Sequence, residues 1–269
     1  MKVHQTILQM IILMVSCSSC EKVIDIKLNG SAAQVVIEGE VSTVRGPYKV
    51  SVTESRNFEE NNIFSGREDA LVVIKDMTSG SSETLRSIGS GIYQTTSLQG
   101  AGGHTYQLTV TLGGKIYTAS STIPAKAVRL ERLFAERSSI NSEDVYMVPV
   151  YTDPVGKGNY YRIKQWVRNL PIKGSYAVSD EASDGRIFDS LLYYDTDTKA
   201  GNPLIRNGDA ITAELQCIDK AVYDFYRTLN ATVSQETSTP ANPLTNFSGG
   251  ALGVFNACRS SKLTAVAKY

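Results

Sequence analysis

Histidine is nearly missing from this chain of 269 residues, which holds only His4 and His104. With His4 in a segment read below as cleaved, one imidazole remains. That count excludes a zinc site built on paired histidines and any multi-histidine metal centre. A surplus of basic charge is missing too, since 27 Lys and Arg face 27 Asp and Glu. Loss of Lys2 with the leader would leave 26 against 27. A phosphate backbone needs a basic stripe, so nucleic acid is not an expected partner. Nowhere does an apolar run approach the roughly 20 residues that cross a bilayer as a helix. Between Gln34 and Thr122, apolar spacings of three and four are also lacking, which argues against an α/β design.

The longest greasy stretch is Ile7 to Val15, interrupted only by Gln9 and preceded by the charge of Lys2. It is too short to span and has the length of a secretory leader. Ser16-Cys17-Ser18-Ser19-Cys20 follows at once and resembles the lipobox of bacterial lipoprotein signals. In that family the cysteine receives a diacylglycerol thioether and becomes the first mature residue, carrying fatty acyl chains such as palmitate. Met14-Val15-Ser16 suits Cys17, whereas the family resemblance given below begins at Cys20. Both cysteines stay candidates for lipidation. The plainer reading is a secreted protein in which these two thiols form an ordinary disulfide.

What the chain has in quantity is strand material. Tyrosine (14) outnumbers phenylalanine (7), and short runs rich in Val, Ile, Thr and Tyr recur, as pleated surfaces favour. Residues 1–20 read as leader and lipidation site, and 21–33 as a tether. From Gln34 the period is two: Val35, Ile37, Gly39 and Val41 share one face while Glu38 and Glu40 share the other. Ala70 to Ile74 is almost continuously apolar, as in a strand covered on both sides. Tyr106, Leu108, Val110 and Leu112 alternate with polar residues up to Gly113-Gly114, which predicts a hairpin with a two-glycine turn. About seven strands with turn residues between them predict an immunoglobulin-like sandwich over 34–124.

Pro124 to Ala127 marks a boundary, and a second antiparallel β domain is expected over 128–269. Its strands read as Val145 to Tyr151, Tyr160 to Val167, Ile187 to Tyr194, Ala210 to Ile218 and a closing one near Leu263 to Ala267. One helix interrupts them near 219–232, where Asp219 can cap and Val222, Phe225, Tyr226 and Leu229 fall on one face. The fold class is mainly all-β.

With these elements placed, the chain resembles an uncharacterised family of Bacteroidota outer-membrane lipoproteins, classed as a domain of unknown function. The resemblance rests on Cys20-Glu21-Lys22-Val23-Ile24-Asp25, Val35 to Val41, Gly46-Pro47-Tyr48-Lys49-Val50 and Ala70 to Asp76. It continues through Gly91-Ile92-Tyr93, Tyr106-Gln107-Leu108, Asp153-Pro154, Tyr160-Tyr161-Arg162, Gly208-Asp209 and Asn246 to Phe255. It implies an immunoglobulin-like domain, a second β-rich domain and a lipid anchor at the outer membrane. Companionship with TonB-dependent transporters or other surface systems is implied as well. The family supplies no catalytic residues. Glu21 after Cys20 resembles surface-export signals of this bacterial group.

Candidate chemistry is sparse. His104 stands where a strand begins, and without a G-x-S-x-G context it reads as a surface histidine rather than a triad member. Asp195-Thr196-Asp197-Thr198-Lys199 opens like a calcium loop, but Lys199 takes a ligand place and no closing glutamate follows, so it reads as an acidic turn. Gly100-Ala101-Gly102-Gly103 precedes a strand rather than a helix and reads as a turn, not a phosphate cradle. Cys217 and Cys258 are either a disulfide, as an exported chain permits, or two buried thiols. Trp166 and Tyr160, Tyr161, Tyr176, Tyr193 and Tyr194 could line a carbohydrate or peptide surface, with alternation sending about half of them inward. The irregular 235–247 loop is a better interaction candidate on grounds of length.

No catalytic set, metal site or cofactor motif emerges. The expectation is a lipid-anchored, non-enzymatic outer-membrane accessory protein with an extracellular ligand or a transporter as partner. A surface adhesin or glycan-binding module is the alternative. A hydrolase built on carboxylates alone is the third, and no paired arrangement recommends it.

Overall fold

The computed structural model describes residues 33–55, 65–174, 176–197, 200–233 and 242–269. The leader, Cys17, Cys20, nearly all of the tether, Thr198, Lys199 and residues 234–241 of the long loop lie outside them. In chain order the elements begin with β1 (Val35–Ser42), β2 (Lys49–Glu54), β3 (Leu71–Asp76), β4 (Ser82–Thr84), β5 (Arg86–Ser87) and β6 (Ile92–Gln94). Next are β7 (Thr105–Leu112), β8 (Lys115–Thr122), β9 (Arg132–Arg137), β10 (Val145–Thr152), β11 (Tyr160–Val167) and β12 (Leu170–Pro171). The chain closes with β13 (Tyr176–Ser179), β14 (Ile187–Phe188), β15 (Ala210–Ile218), α1 (Lys220–Val233), β16 (Phe247–Ser248) and β17 (Leu252–Val266). This is an all-β protein.

Among the described residues three sheets result. The longest runs β12-β11-β15-β17-β1-β2-β6-β5, with β13 also beside β11. A five-stranded sheet, β16-β8-β7-β3-β4, faces its β1 side, and the three-stranded β14-β10-β9 faces its β15 side. Alternation on β1 and β2 turns Ile37, Val50 and Val52 inward against Val72, Ile74, Leu108 and Val110, making the first core. Met147, Tyr151 and Leu133 meet Ile163, Ile211 and Leu215 in the second. Burial of these apolar side chains is what drives each pair of layers together.

One strand belongs to both sandwiches. Leu252 to Cys258 of β17 pair parallel with β1, and Arg259 to Val266 pair antiparallel with β15. Phe247, Ala251, Phe255 and Ala257 thereby enter the first core from the far end of the chain. The closing strand thus begins at Leu252, well ahead of the expected Leu263. Glycines at 249, 250 and 253 conceal that start, because each adopts positive φ where a side chain is disfavoured.

The Gly113-Gly114 hairpin forms, with φ of +55° and +76°, as a tight turn with both central residues left-handed requires. The helix forms as well. Asp219 Oδ1 accepts the Val222 N–H at 3.0 Å, and Val222, Phe225 and Tyr226 are buried together against Val254 and Cys258. The stretch from Ile187 to Tyr194 departs from expectation: only Ile187–Phe188 is strand, and Leu192 makes a lone bridge to Met147. Leu192 fills the second core while Tyr193 turns outward.

Candidate functional site

The face of the long sheet that points away from both cores carries the polar partners of the apolar alternation. Glu38 and Glu40 stand there on β1, opposite Val254 and Asn256 of β17 in register. Arg162 and Lys164 of β11 lie opposite Gln216 and Glu214 of β15. At the junction of the two sandwiches these side chains meet. Glu40 Oε2 accepts from Gln216 Nε2 at 3.2 Å and from Asn256 Nδ2 at 3.4 Å, with Lys164 Nζ at 3.5 Å and Arg162 at 3.9 Å. Gln216 Oε1 in turn accepts from Asn256 Nδ2 at 3.2 Å, and Glu214 accepts from Gln216 at 2.9 Å and Ser260 at 2.8 Å.

Beside this network opens a cleft of about 1250 Å³. The sheet provides its floor, including Glu38, Glu40, Arg162 and Asn256. Phe225, Tyr226, Leu229 and Asn230 of α1 form one wall. Tyr176, Tyr193, Tyr194, Asp195 and Asn202 also line it. The Arg162 guanidinium sits 3.8 Å from the centroid of the Tyr226 ring, a cation–π contact that fixes it against the helix. Burial pushes the Tyr226 phenol up to about 12 against the opposing charge of Arg162. Burial likewise lifts Tyr194 to about 12, and Tyr176 well above the usual phenol range. The Tyr176 hydroxyl donates to the Tyr193 carbonyl, and Tyr146 meets the Tyr193 ring edge-on at 4.8 Å. These rings are held as oriented surfaces.

Of the aromatic residues singled out from sequence, Tyr176, Tyr193 and Tyr194 come together at the cleft. Tyr161 is buried in the second core, Tyr160 packs on Tyr223 of the helix, and Trp166 lies under Lys262 with Nζ 4.7 Å from its ring. Asp195 also reaches the cleft, in a turn where its carboxylate accepts the Asp197 N–H at 2.9 Å. The part of the 235–247 loop that is described is structural. Asn246 clasps both backbone polar groups of Phe255, at 2.8 and 3.0 Å. The network at the junction left no mark in sequence spacing, because its members are up to 216 residues apart.

Cys217 and Cys258 are both free and buried. Cys217 belongs to the second core and Cys258 to the cluster under α1. Register puts Cys217 opposite Arg259, the neighbour of Cys258, so the two thiols point to opposite faces of one sheet and do not pair. Burial raises both thiols above their ordinary range.

His104 Nδ1 lies 2.8 Å from the Asp76 carboxylate, at the start of β7. Asp76 also accepts the N–H groups of Thr78 and Ser79 at 2.9 and 3.0 Å. Burial opposes its charge, but these hydrogen bonds, that of His104 foremost, prevail and hold its pKa at about 2. A carboxyl depressed on folding stabilises above its unfolded pKa and loses that contribution as pH falls. The expected loss is roughly 2 kcal/mol between about pH 4 and pH 2. Urea titrations across that range should show it, with a shallower pH slope in Asp76→Asn.

A second carboxylate group joins Asp153, Asp180 and Asp184, with oxygens mutually within 4.8 Å. Backbone donors occupy them: Gly185 on Asp153, Gly158 and Asn159 on Asp180, Gly156 on Asp184. Burial pushes Asp180 up, and the bonds from Asn159 and Gly158 more than offset it. Chemically the trio ties the β10–β11 and β13–β14 connections together. Sequence spacing held no sign of it beyond Asp153-Pro154.

Taken together, fold and site define a two-sandwich β protein with a polar, tyrosine-walled cleft where the sandwiches share a strand. Residues 21–264 match the family described as a domain of unknown function, DUF4249. The chain belongs to that family. No curated protein matches the sequence.

Proposed function

We propose that this protein is a lipid-anchored, non-enzymatic accessory protein of the outer membrane, held by an acyl thioether on Cys17 or Cys20. Its cleft receives an extracellular ligand on behalf of a partner such as a TonB-dependent transporter. The observation that carries the binding role is the cleft itself, large, partly aromatic and set between two braced sandwiches. Ligand sites favour such junctions. The carboxylate at its floor, Glu40, is engaged by Lys164, Gln216 and Asn256, which suits a positioned binding surface better than a free acid or base. The leader and its adjacent cysteines support the anchor. Among the described residues no helix is long and apolar enough to cross a membrane, which is compatible with attachment through lipid.

The anchor is tested by metabolic labelling with a palmitate analogue. Label is expected on the wild type and is expected to vanish in one of Cys17→Ser and Cys20→Ser. Absence of label from the wild type, with an uncut leader in its mass spectrum, would remove the anchor. Co-isolation from native membranes tests the partnership, and recovery without any β-barrel transporter would discard it.

A further inference from the structure

We infer that the cleft takes a neutral, polyhydroxylated ligand with the chemistry of an oligosaccharide, and that Gln165, Asn256 and Arg162 receive its hydroxyls. The inference rests on the reading of the cleft as a binding site and specifies its cargo. Among the described residues four buried side-chain polar atoms have no hydrogen-bond partner. Three of them, Gln165 Oε1, Asn256 Oδ1 and Arg162 Nε, belong to residues that line this one cleft. Gln165 is only 5% exposed and Asn256 only 1%. Leaving a buried polar atom unmatched is costly, so three on the lining of one cavity mark a place where a partner is expected to arrive.

The set is chemically selective. Two carbonyl oxygens need donors and one guanidinium N–H needs an acceptor. A hydroxyl does both, whereas a phosphate or carboxylate only accepts and an ammonium only donates. Charge points the same way. Glu38, Glu40 and Asp195 on the lining are balanced by Lys49, Arg162 and Lys173, which gives no excess field to select an ion. Lys173 is further engaged with the Ala200 carbonyl at 2.6 Å.

Tyr193 adds the apolar part of the recognition. It is 45% exposed, with its ring steadied by Tyr146, and an aromatic plane of this kind can stack on the C–H face of a sugar ring. The floor is the face of a sheet whose backbone groups are already paired on β1, β17, β15 and β11. An extended peptide therefore finds no strand edge there to lengthen. At about 1250 Å³ the space exceeds the usual range for one small ligand, roughly 300–1,000 Å³, and has room for several linked rings.

The full chain in detergent is titrated calorimetrically with neutral glucan, mannan, xylan and galactan oligosaccharides. Polygalacturonate and a mixed tetrapeptide pool are the comparison probes. At least one neutral oligosaccharide is expected to bind, with affinity lowered tenfold or more by Tyr193→Ala and by Gln165→Leu. Gln165→Leu removes an unmatched oxygen, so its melting temperature should hold or rise while binding falls; a merely structural glutamine would show the reverse. Ile140→Ala, on an exposed loop tip, should change neither. Failure of every neutral oligosaccharide overturns the ligand class. If the peptides or the acidic polymer bind instead, and Tyr193→Ala weakens them, the cleft stands as a binding site with other cargo. Sugar binding indifferent to both variants would place the sugar elsewhere and overturn the site.

Discussion

Gly253→Ala is expected to cost about 3 kcal/mol or more of folding stability and to lower the melting temperature by roughly 6–12 °C. Gly253 has φ of +98°, and a Cβ there would stand 2.1 Å from the Ile37 carbonyl oxygen. That oxygen lies on β1, which pairs with β17 at this residue. The two backbones cannot part without opening the first core, where Ile37 and Phe255 are fully buried. Gly250→Ala supplies the contrast. Its φ is +83° with open space around the added Cβ, so only the left-handed backbone penalty applies, about 1–2 kcal/mol. Thermal melts of the two variants separate the contact from the backbone effect. Equal and small losses would mean that β17 does not approach β1 as closely as described.

Asp219→Ala is expected to cost about 2–3 kcal/mol, more than an ordinary helix cap. One carboxylate oxygen caps α1 through Val222. The other accepts the Ser121 hydroxyl at 2.6 Å and the Thr122 N–H at 2.9 Å on β8. Ser121 is itself buried and its oxygen accepts the Ala257 N–H of β17 at 2.9 Å. A single side chain thus joins the helix, the five-stranded sheet and the shared strand. Asp219→Asn keeps an oxygen for the cap and should lose less. Hydrogen exchange over Lys220–Val233 should quicken in Asp219→Ala, and cleft binding should weaken with it, since Phe225 and Tyr226 form a wall. Unchanged exchange would show that packing under Val222 and Phe225 alone holds the helix.

Both effects come from contacts between distant parts of the chain, and both residues were legible only in part. Asp219 is readable as a cap, because capping depends on the next three residues. Its bonds to Ser121 and Thr122 are not, because they span 98 and 97 positions. Gly253 ends the glycine-rich run from Ser248, ahead of the closing strand expected near Leu263. Its neighbours Val254, Phe255, Asn256, Ala257 and Cys258 are all buried, so both faces of that strand are covered and the polar–apolar alternation that marks a half-buried strand disappears. Tyr176, Tyr193 and Tyr194 were legible as aromatics able to line a surface, whereas Gln165 and Asn256 carried no signal at all. An amide is unremarkable in a sequence until its oxygen is found buried and unmatched.

Local patterning by itself determined the all-β class, the Gly113-Gly114 hairpin, a helix near 219–232 and which face of β1 and β7 turns inward. Those follow from the two-residue pleat and from turn and cap chemistry, which act between near neighbours. Tertiary structure alone decided that one C-terminal strand closes both sandwiches, that Cys217 and Cys258 face apart, and that Glu40, Arg162, Gln216 and Asn256 converge beside a cleft. Each of these depends on strand partners chosen across most of the chain, and that choice is made by the joint burial of two cores rather than by any single segment.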